Sequence, residues 1–210
     1  MKKLFTILCV TLISLSMSAQ AQFGIEAGLN MSNISGSDHK DYFGYSTEMR
    51  VGLRLGGTVA FTLSDAVTLK TGLIYSVKGW ESTMDIVTYD PITGFIYDVS
   101  AYDYSQSLNY LEVPMNFSFA ASDQFSLVAG PYFAFLMGAT TYVGDESEST
   151  NTDGMRSMDI GINLGAGVAV TEAISINAGY SIGLTSLDED GDGDSKNSNI
   201  HIGMTYSFGG

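Results

Sequence analysis

The sequence predicts an all-β fold, an eight-stranded antiparallel up-and-down barrel, and three observations support this prediction. Apolar residues alternate with polar residues or glycines in eight segments, and this period of two is the strand period. The connections between the segments are alternately short and long. The chain of 210 residues is 45% hydrophobic, with 24 glycines and only three prolines, a composition typical of an ordered domain rather than a disordered chain.

The alternation is clearest in residues 174–184, where Ile174, Ile176 and Leu184 share one face and serine, asparagine and glycine share the other. A helix would need apolar residues at steps of three and four, which this segment lacks. Each of the other segments follows the same rule. The eight predicted strands are residues 23–31, 51–61, 67–77, 111–119, 125–137, 160–170, 174–184 and 200–208.

The connections differ systematically in length. The second, fourth and sixth strands end in the tight turns "LSDA", "ASDQ" and "TEA". The other four connections are long and acidic. Short turns on one side and long loops on the other are typical of an outer-membrane barrel, with short periplasmic turns and long external loops. The predicted long loops are residues 35–47, 80–107, 139–157 and 188–198.

The alternative fold is a soluble eight-stranded barrel of the lipocalin type, which would have a bulky apolar interior. Here the polar face is too rich in small residues to fill a dry core, and the apolar face carries no charge. The apolar face is therefore predicted to contact outer-membrane lipid, and the polar face to line the lumen. Aromatic side chains near strand ends fit interfacial girdles: Phe61, Tyr75, Tyr110, Phe119, Phe125 and Phe208.

The first residues, "MKKLFTILCVTLISLSMSAQAQ", combine a basic start, an apolar run and an Ala-Gln-Ala pattern that ends at Ala21. This arrangement predicts a secretory signal peptide over residues 1–21, followed by a barrel domain over residues 22–210. The apolar run is shorter than the roughly 20 residues of a membrane-spanning helix. The only cysteine, Cys9, lies within the signal, so disulfides and thiol chemistry are not expected in the barrel.

The formal net charge is −14. Such an acidic chain would be repelled by nucleic-acid phosphates, so we expect no nucleic-acid partner. We expect a monomer, without a cofactor.

Three stretches carry a family likeness: the start of the barrel, "FGIEAGLNMSNISG", the "YLEVPM" of the fourth strand, and the ending "IHIGMTYSF". With these stretches, the chain resembles the PorT-like or porin-family outer-membrane β-barrel proteins of Bacteroidota, over the whole length after the signal. The resemblance implies a barrel in the outer membrane of a Gram-negative bacterium, and it says little about function.

Charged residues on the inward face form the first candidate site. They suit either a selectivity ring in a narrow channel or a salt-bridged plug. Eight strands leave an interior just wide enough for side chains, which favours the plug. Heights above the turns predict that Arg54 meets Glu112 and that Glu26 meets Lys70. The full set is Glu26, Arg50, Arg54, Lys70, Lys78, Glu112, Asp159 and His201.

The two histidines, His39 in the first long loop and His201 on the inward face, show no evident arrangement with a serine and a carboxylate in the sequence. An activated nucleophile would need such an arrangement, so no catalytic activity is predicted. A structural or interaction protein, or a narrow passive channel, is the expected function.

The long loop from Trp80 to Ser107 alternates apolar and aromatic residues around "DPITG". This pattern predicts that the third and fourth strands continue outward as a hairpin. An extracellular partner would bind such an edge by strand addition. The alternative is a solvated loop packed on its neighbours.

The stretch "DEDGDGDS" resembles a calcium loop, because Asp188, Asp190, Asp192 and Asp194 are spaced two apart. An EF-hand requires a helix on each side and a glutamate at the twelfth position. Here both neighbours are predicted strands, and the twelfth position is Asn199. The stretch is therefore predicted to be the last external loop. It attracts cations diffusely or, in the less favoured alternative, forms a specific Ca²⁺ site.

Overall fold

The computed structural model describes residues 21–36, 47–89, 92–94, 96–144, 146–150, 152–189 and 194–208. The predicted signal peptide, apart from Ala21, lies outside these residues, as do His39, Asp190 and Asp192. Within the described ranges, no helix is long and apolar enough to cross a membrane. The strands are β1 (Ala21–Ser35), β2 (Thr47–Ser64), β3 (Val67–Tyr89), β4 (Ile96–Ala120), β5 (Phe125–Val143), β6 (Glu146–Thr150), β7 (Met158–Ala169), β8 (Ile174–Gly183) and β9 (Lys196–Ser207).

Eight of these strands close into a ring of antiparallel neighbours. Around the ring, β4, β3, β2, β1, β9, β8, β7 and β5 follow one another, and β4 pairs with β5 to complete it. The first strand pairs with the last, with Gly24 opposite Ser207. β6 lies outside the ring and pairs with the external end of β5. The predicted eight-stranded up-and-down barrel is confirmed.

The predicted tight turns lie together at one end of the barrel. Side-chain hydroxyls brace two of them: Ser122 Oγ accepts a hydrogen bond from the Phe125 amide at 3.1 Å, and Thr171 Oγ1 accepts one from the Ile174 amide at 3.0 Å. These are the local bonds by which serine and threonine favour turns. We take this end as periplasmic and the opposite end as external.

The hairpin of β3 and β4 extends well beyond the ring. β3 has 23 residues and β4 has 25, about twice the roughly 9–11 residues that cross a bilayer. Their pairing runs from Val67 opposite Phe119 to Tyr89 opposite Ile96. The predicted outward hairpin is confirmed.

The two faces of the barrel are sorted as the alternation predicts. Leu53 and Leu55 on β2 are each 48% exposed, whereas Arg54 between them is 3% exposed. Tyr110 is an exception to the predicted aromatic girdle. It is 1% exposed, because it has the same parity as Glu112 on β4 and points inward with it.

The interior contains an apolar cluster at its external end. Leu108, Tyr110, Tyr132, Ala134 and Ala139 form a buried cluster. Side chains from the strands and from two external loops pack against it. The expectation that the inward face is polar or glycine along its whole height is therefore wrong at the external end. These surrounding side chains are Trp80, Leu136, Met155 and Leu187.

Candidate functional site in the barrel lumen

Arg54 lies at the centre of a buried charge network. Its Nε is 2.8 Å from Glu26 Oε1 on the neighbouring β1, and its Nη1 is 2.8 Å from Glu112 Oε1 on β4. The side chains have this geometry because all three occupy inward positions at a similar height in the ring. The fork of a guanidinium suits two acceptors at once, which a lysine cannot match.

Lys70 extends the network toward the periplasmic end. Its Nζ donates to Glu26 Oε2 at 2.9 Å and to Thr205 Oγ1 at 2.6 Å. Glu26 therefore accepts from Arg54 with one oxygen and from Lys70 with the other. Both predicted contacts, Arg54 with Glu112 and Glu26 with Lys70, are present.

Lys78 extends the network toward the external end, and its side chain is fully buried. Its Nζ lies 3.4 Å from Glu112 Oε2 and 3.4 Å from Asp159 Oδ2. It also lies over two aromatic rings, 4.3 Å from the Tyr132 centroid and 5.3 Å from the Tyr110 centroid. A desolvated cation over a ring is attracted to the ring's negative face. Two ion pairs of 3.4 Å and two cation–π contacts thus stabilise the buried ammonium group.

Asp159 on β7 gathers further donors. Its Oδ2 accepts from the Tyr132 hydroxyl at 3.1 Å and from Asn197 Nδ2 at 3.0 Å. Its Oδ1 accepts from the Thr185 hydroxyl at 3.1 Å. The inward alternation of β5 and β9 places Tyr132 and Asn197 on the lumen side, but the predicted charge set omitted both because they are uncharged.

The network is electrically balanced. Arg54, Lys70 and Lys78 alternate with Glu26, Glu112 and Asp159 along one continuous path from the periplasmic side to the external side. Buried charges persist only where each is paired and hydrogen-bonded. The contacts join five strands, so the network braces the barrel from wall to wall.

Little space is left where these side chains meet. The cavity lined by Glu26, Arg54 and His201 has a volume of about 50 Å³, enough for very few water molecules. Wider spaces lie on either side: about 250 Å³ at the periplasmic mouth and about 310 Å³ at the external end. The charged side chains and the apolar cluster lie between the two mouths.

Two predicted residues are not part of the ion-pair path. Arg50 lies near the outward extensions of β4 and β5: its Nε donates to Ser105 Oγ at 2.9 Å, and its guanidinium lies 5.6 Å from the Tyr142 ring centroid. Its assignment to the lumen network is therefore wrong, because β2 has a register irregularity between Met49 and Arg54.

His201 lines the small central cavity. Its Nδ1 lies 3.3 Å from Ser181 Oγ, and the Ser181 hydroxyl donates to Asn163 Oδ1 at 2.7 Å. The two residues are 20 positions apart, so no local motif in the sequence indicated this serine–histidine contact, although β8 and β9 are adjacent strands. The serine hydroxyl proton is already donated to the amide oxygen of Asn163.

The acidic loop between β8 and β9 is only partly within the described residues. Arg156 holds its near side: Nε donates to the Ser186 carbonyl at 2.8 Å, and Nη2 donates to the Asp188 and Glu189 carbonyls at 3.1 Å each. At the far side, Lys196 Nζ lies 2.5 Å from Asp194 Oδ1. The flanking elements are strands, so the loop is not an EF-hand. In the described part of the chain, no cluster of three histidine, cysteine or acidic side chains is arranged to hold a metal ion.

Comparison with known proteins identifies the family. The family model of the outer membrane protein beta-barrel domain matches residues 16–189. No curated protein matches the chain. Among solved structures, Neisserial surface protein A (NspA) has a TM-score of 0.52 at 14% identity, over 90% of this chain and 99% of that one.

Two other barrels have lower TM-scores. The attachment invasion locus protein Ail of Yersinia pestis has a TM-score of 0.46 at 17% identity, over 90% of this chain and 99% of that one. The outer membrane protein OprG from Pseudomonas aeruginosa has a TM-score of 0.38 at 12% identity, over 91% and 98%. The fold, the apolar outer face and the family match agree: this chain belongs to the outer membrane protein beta-barrel domain family and is an integral β-barrel of the outer membrane of a Gram-negative bacterium.

Proposed function

We propose that this barrel acts through its external surface and that its lumen is a structural plug. The observation that carries the proposal is the continuous path of ion pairs from Lys70 to Asp159, which occupies the middle of an eight-stranded ring. Water-filled channels are typical of barrels with about 16 strands or more. A narrow passive channel is the second candidate, because the wider mouths lie at both ends of the network.

Conductance across a planar lipid bilayer tests the proposal. The refolded wild-type barrel is expected to give no resolved current steps. The double variant Arg54→Ala with Glu112→Ala removes the central ion pair. In its folded form it is expected to give current steps, so it serves as the positive comparison. Reproducible current steps from the wild type, abolished when a bulky side chain such as Ser118→Phe narrows the lumen, would favour the channel instead, because Ser118 lines both the central cavity and the periplasmic mouth.

In this proposal, the chain is a PorT-like porin-family protein of Bacteroidota, exported by a signal peptide over residues 1–21 and folded as a monomer over residues 22–210. The basic start, apolar run and cleavage pattern support the export step. Mass spectrometry of the protein from outer membranes is expected to give an N-terminus at Gln22. Light scattering of the detergent complex tests the monomer.

The hairpin of β3 and β4 supports a surface role. It extends beyond the ring, and its outer residues 84–89 pair with residues 96–102. An extracellular partner that adds a strand to this edge is part of the proposal, and outer-membrane lipid surrounds the ring below it. The proposal assigns the chain no catalytic reaction, because Ser181 is buried in the lumen beside His201.

A further inference from the structure

A cleft of about 310 Å³ at the external end of the lumen, called the external cleft, has no assigned role. It lies above the charge network, among the ends of β1 and β3–β5 and the two loops that follow β6 and β8. We propose that the external cleft binds a compact, neutral, largely apolar small molecule with a single polar group. Its apolar lining residues are Ile34, Trp80, Leu108, Leu136, Met155 and Leu187.

The size and the lining restrict the class of ligand. Small-molecule sites have volumes of roughly 300–1,000 Å³ and predominantly apolar walls with a few polar groups. The external cleft is at the lower end of this range, so it suits a single ring or a short branched chain. Trp80, Leu136, Met155 and Leu187 remain only partly buried at an aqueous end of the molecule. Exposed apolar surface of this kind favours an apolar occupant.

The polar side of the external cleft argues against a sugar or another polyol. Gln106 Oε1 accepts from the Tyr104 hydroxyl at 3.0 Å and from the Thr141 hydroxyl at 2.8 Å. Thr141 and Thr150 share a hydrogen bond of 2.6 Å. These groups largely satisfy one another. A ligand with many hydroxyl groups would have to break this arrangement, whereas a ligand with one polar group needs a single free lone pair or donor.

The charges around the external cleft argue against an anion. The basic residue in its lining is Arg156, whose Nε and Nη2 already donate to the carbonyls of Ser186, Asp188 and Glu189. Asp188 lines the same rim, and the whole chain carries a formal net charge of −14. A carboxylate or phosphate on the ligand would therefore be repelled by Asp188, and the Nε and Nη2 donors of Arg156 that could bind it are already in use.

Trp80 supplies the readout, because it is the only tryptophan in the chain and it lines the external cleft. The full-length barrel is refolded into lipid nanodiscs and titrated with para-cresol, a neutral ring with one hydroxyl. We expect a saturable shift of Trp80 emission. Para-toluate, an anion of similar shape, and glucose are expected to produce no saturable shift. Empty nanodiscs correct for partitioning of para-cresol into lipid.

Matched variants separate the cleft from the lipid face. Met155→Gln and Leu187→Gln change loop residues that line the external cleft, so the ring is expected to fold; each is expected to weaken para-cresol binding about tenfold. Met137→Gln changes an exposed methionine on β5 outside the cleft and is expected to leave the affinity unchanged. Heat-modifiable mobility in gels verifies folding of each variant.

Several results would overturn the inference. One is an emission shift by para-cresol that never saturates, or that is equal in Met155→Gln and Met137→Gln. Another is glucose or para-toluate binding more tightly than para-cresol, which would indicate a different ligand class. A third is a Trp80 that acrylamide fails to quench in the free protein, which would show that the chain's own loops fill the cleft.

Discussion

At the scale of single residues, Arg54 is the side chain on which the lumen depends most. It is 3% exposed and joins two carboxylates that belong to different strands. Lys70 and Lys78 each contact the second oxygen of one of these carboxylates. Removing Arg54 would leave both carboxylates with less compensating positive charge inside the barrel.

Arg54→Ala is therefore expected to lower the free energy of unfolding by about 3–5 kcal/mol. Urea unfolding of the refolded barrel in lipid vesicles measures this loss. Arg50→Ala is the matched control, the same change on the same strand. Arg50 is only partly buried and donates to Ser105, so we expect a loss of about 1 kcal/mol. Equal losses in the two variants would contradict the central role of Arg54.

At the scale of elements, the hairpin of β3 and β4 divides into a part that belongs to the ring and a part that does not. Up to Ser82, β3 also pairs with β2, and from Tyr104 onward β4 also pairs with β5. Beyond these points, the described pairing joins β3 to β4 alone. The outer part therefore adds surface without closing the barrel.

Replacement of residues 84–102 by a short Asn-Gly turn is expected to leave the unfolding free energy within about 1 kcal/mol of the wild type, because a surface loop contributes little to the closure of the ring. Urea unfolding and heat-modifiable mobility check this expectation. A control deletion of residues 74–112 would remove Lys78 and Glu112 and is expected to abolish folding. Loss of folding in the shorter deletion would show that the hairpin is part of the barrel core.

The acidic loop after β8 is a second external element. Arg156 and Lys196 order its ends, while residues 190–193 lie outside the described part. We expect Ca²⁺ binding of millimolar affinity, with little preference over Mg²⁺ and loss in high salt, since a run of acidic side chains attracts cations diffusely. Calorimetry on the refolded barrel measures this. Micromolar, Ca²⁺-selective binding that Asp190→Asn abolishes would instead establish a specific site.

At the scale of the whole molecule, the distribution of apolar and charged residues is the reverse of that in a soluble protein. Leu53, Leu55 and Ile202 face outward with about half of their surface exposed, while charged residues fill the interior. This distribution is stable only where hydrocarbon surrounds the ring, because exposed apolar surface in water is unfavourable. The external end carries the long hairpin, β6 and the external cleft, and the periplasmic end carries the tight turns.

The cost of a charge on the outer face is expected to depend on its depth. Leu53→Arg lies at the height of Arg54 and is expected to cost about 2–4 kcal/mol, whereas Leu63→Arg lies beside the periplasmic turn on the same strand and is expected to cost about 0–1 kcal/mol. Reversible unfolding from lipid vesicles compares the two. Equal costs would mean that the outer face of β2 does not span the hydrocarbon layer.

Much of this architecture is accessible from the sequence. The period of two assigns each residue to a face, and turn residues such as Ser122 and Thr171 place the strand ends. A count from those turns also brings Arg54 to Glu112 and Glu26 to Lys70. Each pair lies on strands that are two apart in the ring, and long inward side chains at equal heights reach across the strand between them. What fails is the assignment of Tyr110 to the aromatic girdle: its parity with Glu112 on the same strand places it on the inward face.

The sequence by itself determined the number of ring strands, the face of nearly every residue and most of the charges that enter the lumen, since these follow from local alternation and from turns. Only the tertiary structure decided the rest of the charge network. Lys78 reaches Asp159 from β3 to β7, strands that are not neighbours, and Arg50 leaves the network at a register irregularity. The closed ring brings distant strands within side-chain reach, and its shear and irregularities are not encoded in the period of any single strand.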